Sequence, residues 1–199
     1  MSEERKSPAC LIWCDLETTG LNPGKDWILE IYMVKAEFHN PLEPVGASYH
    51  KVFRAFPTMH MPPEVLKMHG ENGLWNECIL SPHIQAHPDV VEEFLAFVGS
   101  DAKGAPIDFS DKDVKPVLAG STVHFDLAFL RADFKDLGSI LSHRVYDVSA
   151  LKLFCQTLGM PPFPKGNVAH RAKADIEASI DHAKQCMAWL KLEGWKRVS

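Results

Sequence analysis

Three absences narrow the chemistry of this chain before any motif is read. Its five cysteines, Cys10, Cys14, Cys78, Cys155 and Cys186, form no CxxC pair or zinc-ligand spacing and are odd in number. That argues against a disulfide scaffold and leads us to expect a reducing, cytoplasmic setting. No apolar run is long enough to span a bilayer, and no leader segment is evident. Positive charge is scarce as well: 21 Lys and Arg stand against 26 Asp and Glu, a formal net charge of -5. A broad basic surface for gripping a long polyanion is therefore not expected. Internal repeats and low-complexity tracts are also missing.

What the chain does have is enough apolar material, 46% of 199 residues, to bury one substantial core. We expect a polar, flexible segment over residues 1–9 and one domain over 10–199. Residues 11–17, 28–38 and roughly 49–56 carry the alternating or continuous apolar pattern of a three-strand meander. In the first of these, Ile12, Cys14 and Leu16 face one way and Leu11 and Trp13 the other, as in a central strand covered on both faces. Val90, Val91, Phe94, Leu95 and Val98, and later Ile176, Ile180, Ala183, Met187 and Leu190, follow helical spacing. The stretches Pro41–Pro44 and Ser100–Asp113 read as surface connections.

Charge is concentrated where it is costly. Asp15 and Glu17 lie two apart in the first strand and so project from one face, where like charges repel unless a proton or a hard cation sits between them. Asp126 follows a short turn after the apolar run 114–120, near the start of a helix. Beyond a Pro/Gly-rich segment come His170 and Asp175, five apart, or roughly 140° around a helix. Such spacing places Asp175 on the helix and His170 on the loop or first turn, a suitable post for a general base that titrates near neutrality.

Asp15-Leu16-Glu17, then Asp126, then His170 and Asp175 resemble, in order and context, the DEDDh group of 3'-to-5' exonucleases. The chain is most similar there to oligoribonuclease, through residues 11–17, Asn72-Gly73-Leu74 after His69, and residues 144–152. That resemblance implies an α/β, ribonuclease H-like fold with a mixed central sheet and helices on both faces. It implies two divalent ions, Mg2+ or Mn2+, held by Asp15, Glu17, Asp126 and Asp175, with His170 as the base, releasing nucleoside 5'-monophosphates from short single-stranded RNA. It also implies a homodimer, in which His143 could reach the partner's substrate.

By the same resemblance Leu21 is expected to wedge against bases, His69 to contact substrate, and Thr122, Arg144 and Ser149 to close on a 5'-phosphate. Ser149 is also read as the cap of a helix starting near Ala150. Arg131, Arg144, Lys165, Arg171 and Lys173 are basic residues that could assist the metals. Two departures bear on substrate length: Glu64 stands where the family has a stacking tryptophan, and His143 where it has a tyrosine. Phe53, Phe56 and Trp75 are the candidate replacements. Thr18-Thr19-Gly20 and the His69-Gly70 pair leave open a proofreading or repair DNA exonuclease, and a catalytically silent nucleic-acid-binding module is a further alternative.

Overall fold

A computed structural model describes residues 7–164 and 170–192. The expected flexible segment 1–9 falls mostly outside the described residues, as does Lys165. In chain order, β1 (Leu11–Thr18), β2 (Ile28–Ala36) and β3 (Pro44–Val52) precede α1 (Pro63–Glu71), α2 (Leu74–Leu80) and α3 (Pro88–Val98). Then come β4 (Val117–Gly120), α4 (His124–Asp133), α5 (Leu137–Ile140), β5 (Val145–Asp147), α6 (Val148–Thr157) and α7 (Ala172–Leu192).

The strands form one mixed sheet in the order β3-β2-β1-β4-β5. β1, β2 and β3 are the expected antiparallel meander, while β4 and β5 run parallel to β1. β1 is the central strand, and its two faces divide as the alternation predicts. Ile12, Cys14 and Leu16 pack with Phe94 and Val98 of α3 and Phe129 and Leu130 of α4. Leu11 and Trp13 pack on the other face with Val148 of α6 and Ile176, Ile180 and Ala183 of α7. Helices therefore cover both faces, and Asp15 and Glu17 emerge on the α7 side.

The third strand begins earlier than its apolar pattern suggests, at Pro44 instead of near Tyr49, and ends at Val52. As an edge strand it can open on a proline and run with a largely exposed face, so hydrophobicity does not mark its start. Phe53 still pairs, its N–H on the Leu29 carbonyl at 2.8 Å, before the chain turns away.

Two devices fix the sheet near the acids. A Cβ at Gly120 would lie 2.7 Å from the Cys14 carbonyl oxygen, so only glycine lets the end of β4 run this close to β1, one residue before Asp15. On β2, buried Lys35 sends its ammonium to the carbonyls of Phe97, Ser100 and Asp101 and to the Ser100 hydroxyl. This ties the segment after α3 to the sheet.

Candidate active site

Asp15 and Glu17 lie at the C-terminal end of β1, where the parallel strand β4 also ends and hands the chain to α4. Asp126 sits in the first turn of α4 and is buried, its Oδ1 accepting from the Leu16 amide at 3.0 Å. This bond fastens α4's acid to the strand between the other two. Glu17, His170 and Asp175 present ligand atoms that all lie within 4.8 Å of one another.

His170 has a left-handed backbone (φ 48°), a region that few residues other than glycine enter though histidine does so more often than most, and lies two residues before the start of α7 at Ala172. Two contacts hold it there. Its carbonyl accepts from Asn72 Nδ2 at 2.5 Å, and the next residue, Arg171, is locked by two carboxylates. Glu30 accepts from Arg171 Nε at 3.0 Å and Nη2 at 3.1 Å, while Glu77 accepts from Nη1 and Nη2, both at 2.8 Å. Glu30 also accepts from the Ala172 amide at 3.1 Å, satisfying a donor at the start of α7. His50 adds a fourth contact at 2.8 Å.

Burial and mutual repulsion push the acids up. Asp15 rises to about 9 through burial, then through Asp126, Glu17 and Asp175. Glu17 rises to about 8 through burial, Asp175 and Glu30, with Arg171 opposing. Asp126 reaches about 7 because burial outweighs the amide donors of its own residue and Leu16. Asp175 also moves up through burial, with His170 opposing. Glu30 is the exception: burial would raise it, but the Arg171, His50 and Ala172 donors together bring it below its usual value. Glu17 and Asp175 therefore offer oxygen donors beside His170, with Asp126 close enough to raise the pKa of both Asp15 and Glu17, a concentration of acid that suits a hard divalent cation.

The residues expected to touch substrate divide. Leu21 is 78% exposed in the turn after β1, free to meet a ligand. His69 is fully buried, its Nε2 3.2 Å from the Thr18 carbonyl and 4.0 Å from Glu17 Oε2; in this conformation it supports β1 from below. Burial lowers its pKa, so it is held neutral there. Thr122 and Ser149 come together, hydroxyl to hydroxyl at 3.1 Å, with Thr122 in a left-handed backbone (φ 56°). Arg144 lies at the other end of β5, in the wall of a separate cavity.

Ser149 does not cap α6. The helix starts at Val148, and Asp147 is the cap, accepting from the Ser149 and Ala150 amides as well as from the Thr122 amide. Asp147, two residues earlier, stands at the N-cap position, so its carboxylate and not the Ser149 hydroxyl takes the first free amides. Arg171 is not available to neutralise a phosphate, since Glu30 and Glu77 occupy its guanidinium; Lys173 lies 3.8 Å from Glu177. Among the aromatic replacements, Phe53 is in the core, and Trp75 is half-buried against Leu29 and Leu74.

Sequence reasoning missed Glu30 and Trp27. Glu30 faces Glu17 directly across the β1–β2 ladder, so its side chain shares the acids' face; the signal was an acid inside the apolar run Ile28-Leu29-Glu30-Ile31. Trp27 is 44% exposed and brackets the Leu21 turn, its amide donating to Thr19 Oγ1 and its carbonyl accepting from the Thr19 amide.

The exonuclease family of RNase T type matches residues 12–182. The chain belongs to this exonuclease family. Within the family it is 32% identical over 183 residues to the "Probable oligoribonuclease" of Dictyostelium discoideum, covering 87% of this chain and 86% of that one. It is 31% identical over 179 residues to the oligoribonuclease of Rhodococcus jostii strain RHA1, covering 87% and 84%. Among solved structures, exonuclease I of Methylocaldum szegediense superposes with a TM-score of 0.69 at 15% identity, over 93% of this chain and 42% of that longer one. The fold is thus the ribonuclease H-like fold of these exonucleases, with oligoribonucleases as its relatives in sequence.

Proposed function

We propose that the chain is a metal-dependent 3'-to-5' exoribonuclease that cleaves short single-stranded RNA to nucleoside 5'-monophosphates. The carrying observation is the meeting of Glu17, His170 and Asp175 within 4.8 Å, beside Asp15 on the same strand face and Asp126 bonded to β1. Asp15, Glu17, Asp126 and Asp175 would hold two divalent ions, Mg2+ or Mn2+. Cations there supply an acidified water and stabilise charge on the departing 3'-oxygen.

The chain's own residues supply the rest. His170, exposed on its loop, takes the proton from the attacking water. Leu21 and Trp27 offer apolar surface to the terminal bases, and base stacking on an aromatic ring contributes about 1–3 kcal/mol. Thr122 and Ser149 present paired hydroxyls beside the Asp147 cap of α6, where they could donate to a substrate oxygen. His69 supports the strand under Glu17, and Arg144 serves a phosphate further from the scissile bond. Residues 10–199 form the domain that carries this activity.

A reducing cytoplasm fits the five free, buried cysteines. Among the described residues no helix is long and apolar enough to cross a membrane. A homodimer is part of the reading, with exposed Leu153 and Phe154 on α6 as an apolar surface for the second copy. Light scattering measures that directly.

A DNA exonuclease is the second reading, favoured by the fold likeness to exonuclease I and by His69-Gly70. The deciding assay compares 5'-labelled RNA and DNA of two, five and about twenty nucleotides with Mg2+ or Mn2+, for wild type and Asp15→Ala. Stepwise loss of 3' nucleotides from the short RNAs, abolished in Asp15→Ala, is expected. Turnover of long DNA alone would overturn the RNA assignment.

A further inference from the structure

A cavity of about 430 Å³ opens at the end of the sheet opposite the catalytic acids. Pro8, Lys115 and Arg144 in its wall directly precede or lead into β1, β4 and β5, which run parallel. They therefore mark the N-terminal ends of the strands, whereas the acids gather at the C-terminal ends. Arg131, from the far end of α4, completes the same wall.

Its charge is unlike that of the chain as a whole. Lys112, Lys115, Arg131 and Arg144 line it against the single acid Asp113, in a protein whose net charge is -5. Among the described residues, none of those four side chains has an ion-pair or hydrogen-bond partner. Four cations around one cavity repel one another unless an anion is shared between them. Arginine matches a phosphate bidentately, and lysine adds compact charge. No Phe, Tyr or Trp contributes to the wall, and the exposed imidazole of His143 is the one aromatic ring among its lining residues, so charge outweighs stacking surface there.

We propose that this cavity binds backbone phosphates of the 5' portion of a single strand whose 3' end lies at the acids. This rests on the exonuclease reading above and extends it to substrate length. By strand register Arg144 lies four residues and Lys115 six residues before the level of Asp15, about 13 Å and about 20 Å along the sheet, which a stacked strand covers in roughly four to six nucleotides at about 3.4 Å each. β5 is an edge strand, and its first residue Val145 and the preceding Arg144 are exposed, so the path between the two sites runs along open surface. A dinucleotide ends before the cavity, while a heptanucleotide reaches it.

The test uses Asp15→Asn, which binds without cleaving, with 5'-phosphorylated, fluorescently labelled RNA of two and seven nucleotides, in Mg2+ from 50 to 300 mM KCl. Adding Lys115→Ala and Arg131→Ala should weaken heptanucleotide binding about tenfold and leave the dinucleotide unchanged. The slope of log K against log salt should become shallower by about 1.4, two contacts at about 0.7 each. If the double variant loses its thermal transition, Arg131→Glu alone carries the measurement at an exposed position. An unchanged heptanucleotide slope, or equal loss for both lengths, would overturn the proposal. So would ADP binding that the double variant abolishes while the heptanucleotide is unaffected, because the cavity would then serve a free nucleotide. Wild type that cleaves no RNA counts against the exonuclease reading; normal cleavage with an unaltered slope counts against this site alone.

Discussion

His170 and Trp27 are both exposed, and their proposed roles predict different losses on removal. His170 is exposed and contributes little packing, so His170→Ala should keep its melting temperature within about a degree while kcat falls by about 10² to 10⁴, the usual worth of a positioned general base. Preserved activity in that variant would remove the histidine from the chemistry. Trp27 makes the opposite kind of prediction. Its exposed ring beside the Leu21 turn should matter to binding, so Trp27→Ala should raise KM for short RNA roughly tenfold, about 1–3 kcal/mol of lost stacking, with kcat held. A fall in kcat at constant KM would place Trp27 elsewhere in the reaction.

Among the elements, the N-terminus of α7 is the joint on which the geometry turns. Glu30 reaches from β2 to Arg171 and to the Ala172 amide, so one buried carboxylate fixes both the loop that ends in His170 and the helix that carries Asp175. Breaking a buried pair by removing one partner costs about 3–5 kcal/mol, less here because Glu77 still holds Arg171 and the guanidinium is partly exposed. Glu30→Gln should therefore lower the melting temperature by several degrees and kcat by tenfold or more. A variant with normal kcat would show that His170 is positioned without this clamp. The clamp also shows what the sequence could and could not disclose. Strands β1 and β2 and helices α3 and α7 were legible because their apolar periodicity is what buries them, and Asp15, Glu17, Asp126, His170 and Asp175 stood out together through their resemblance in order and context to the DEDDh exonucleases. Glu30 did not, because its meaning depends on cross-strand register and on an arginine 141 positions away. The start of β3 and the Asp147 cap were missed for a related reason: an edge strand needs little hydrophobicity, and two cap-forming residues two positions apart, Asp147 and Ser149, are told apart only by the backbone path.

At the scale of the whole molecule, the acids tie stability to pH and to cations. Asp15, Glu17 and Asp126 are pushed to about 9, 8 and 7, whereas their unfolded counterparts titrate near 4. Between those limits the folded chain retains protons that the unfolded chain has released, so the unfolding free energy falls as pH rises. Their contribution is complete below about pH 4 and is lost as pH climbs through about 7 to 9. His69 and His182, lowered by burial, act in the other direction only at and below about pH 6.5, outside that window. The melting temperature in EDTA should accordingly fall between pH 7 and pH 9. Asp15→Asn should flatten the decline and raise the value at pH 9 by several degrees, at roughly 2–4 °C per kcal/mol for a chain of this size. Mg2+ or Mn2+ at a hundred times its Kd should add about 2.7 kcal/mol to the wild type. That gain should be larger at pH 9 than at pH 7 at fixed cation concentration, since protons compete for the same oxygens. Calorimetry across pH 7–9, with and without the cation, measures all three effects. A metal-free protein that grows more stable across that range, or an Asp15→Asn profile parallel to wild type, would mean that the carboxylates are not confined together as their geometry requires.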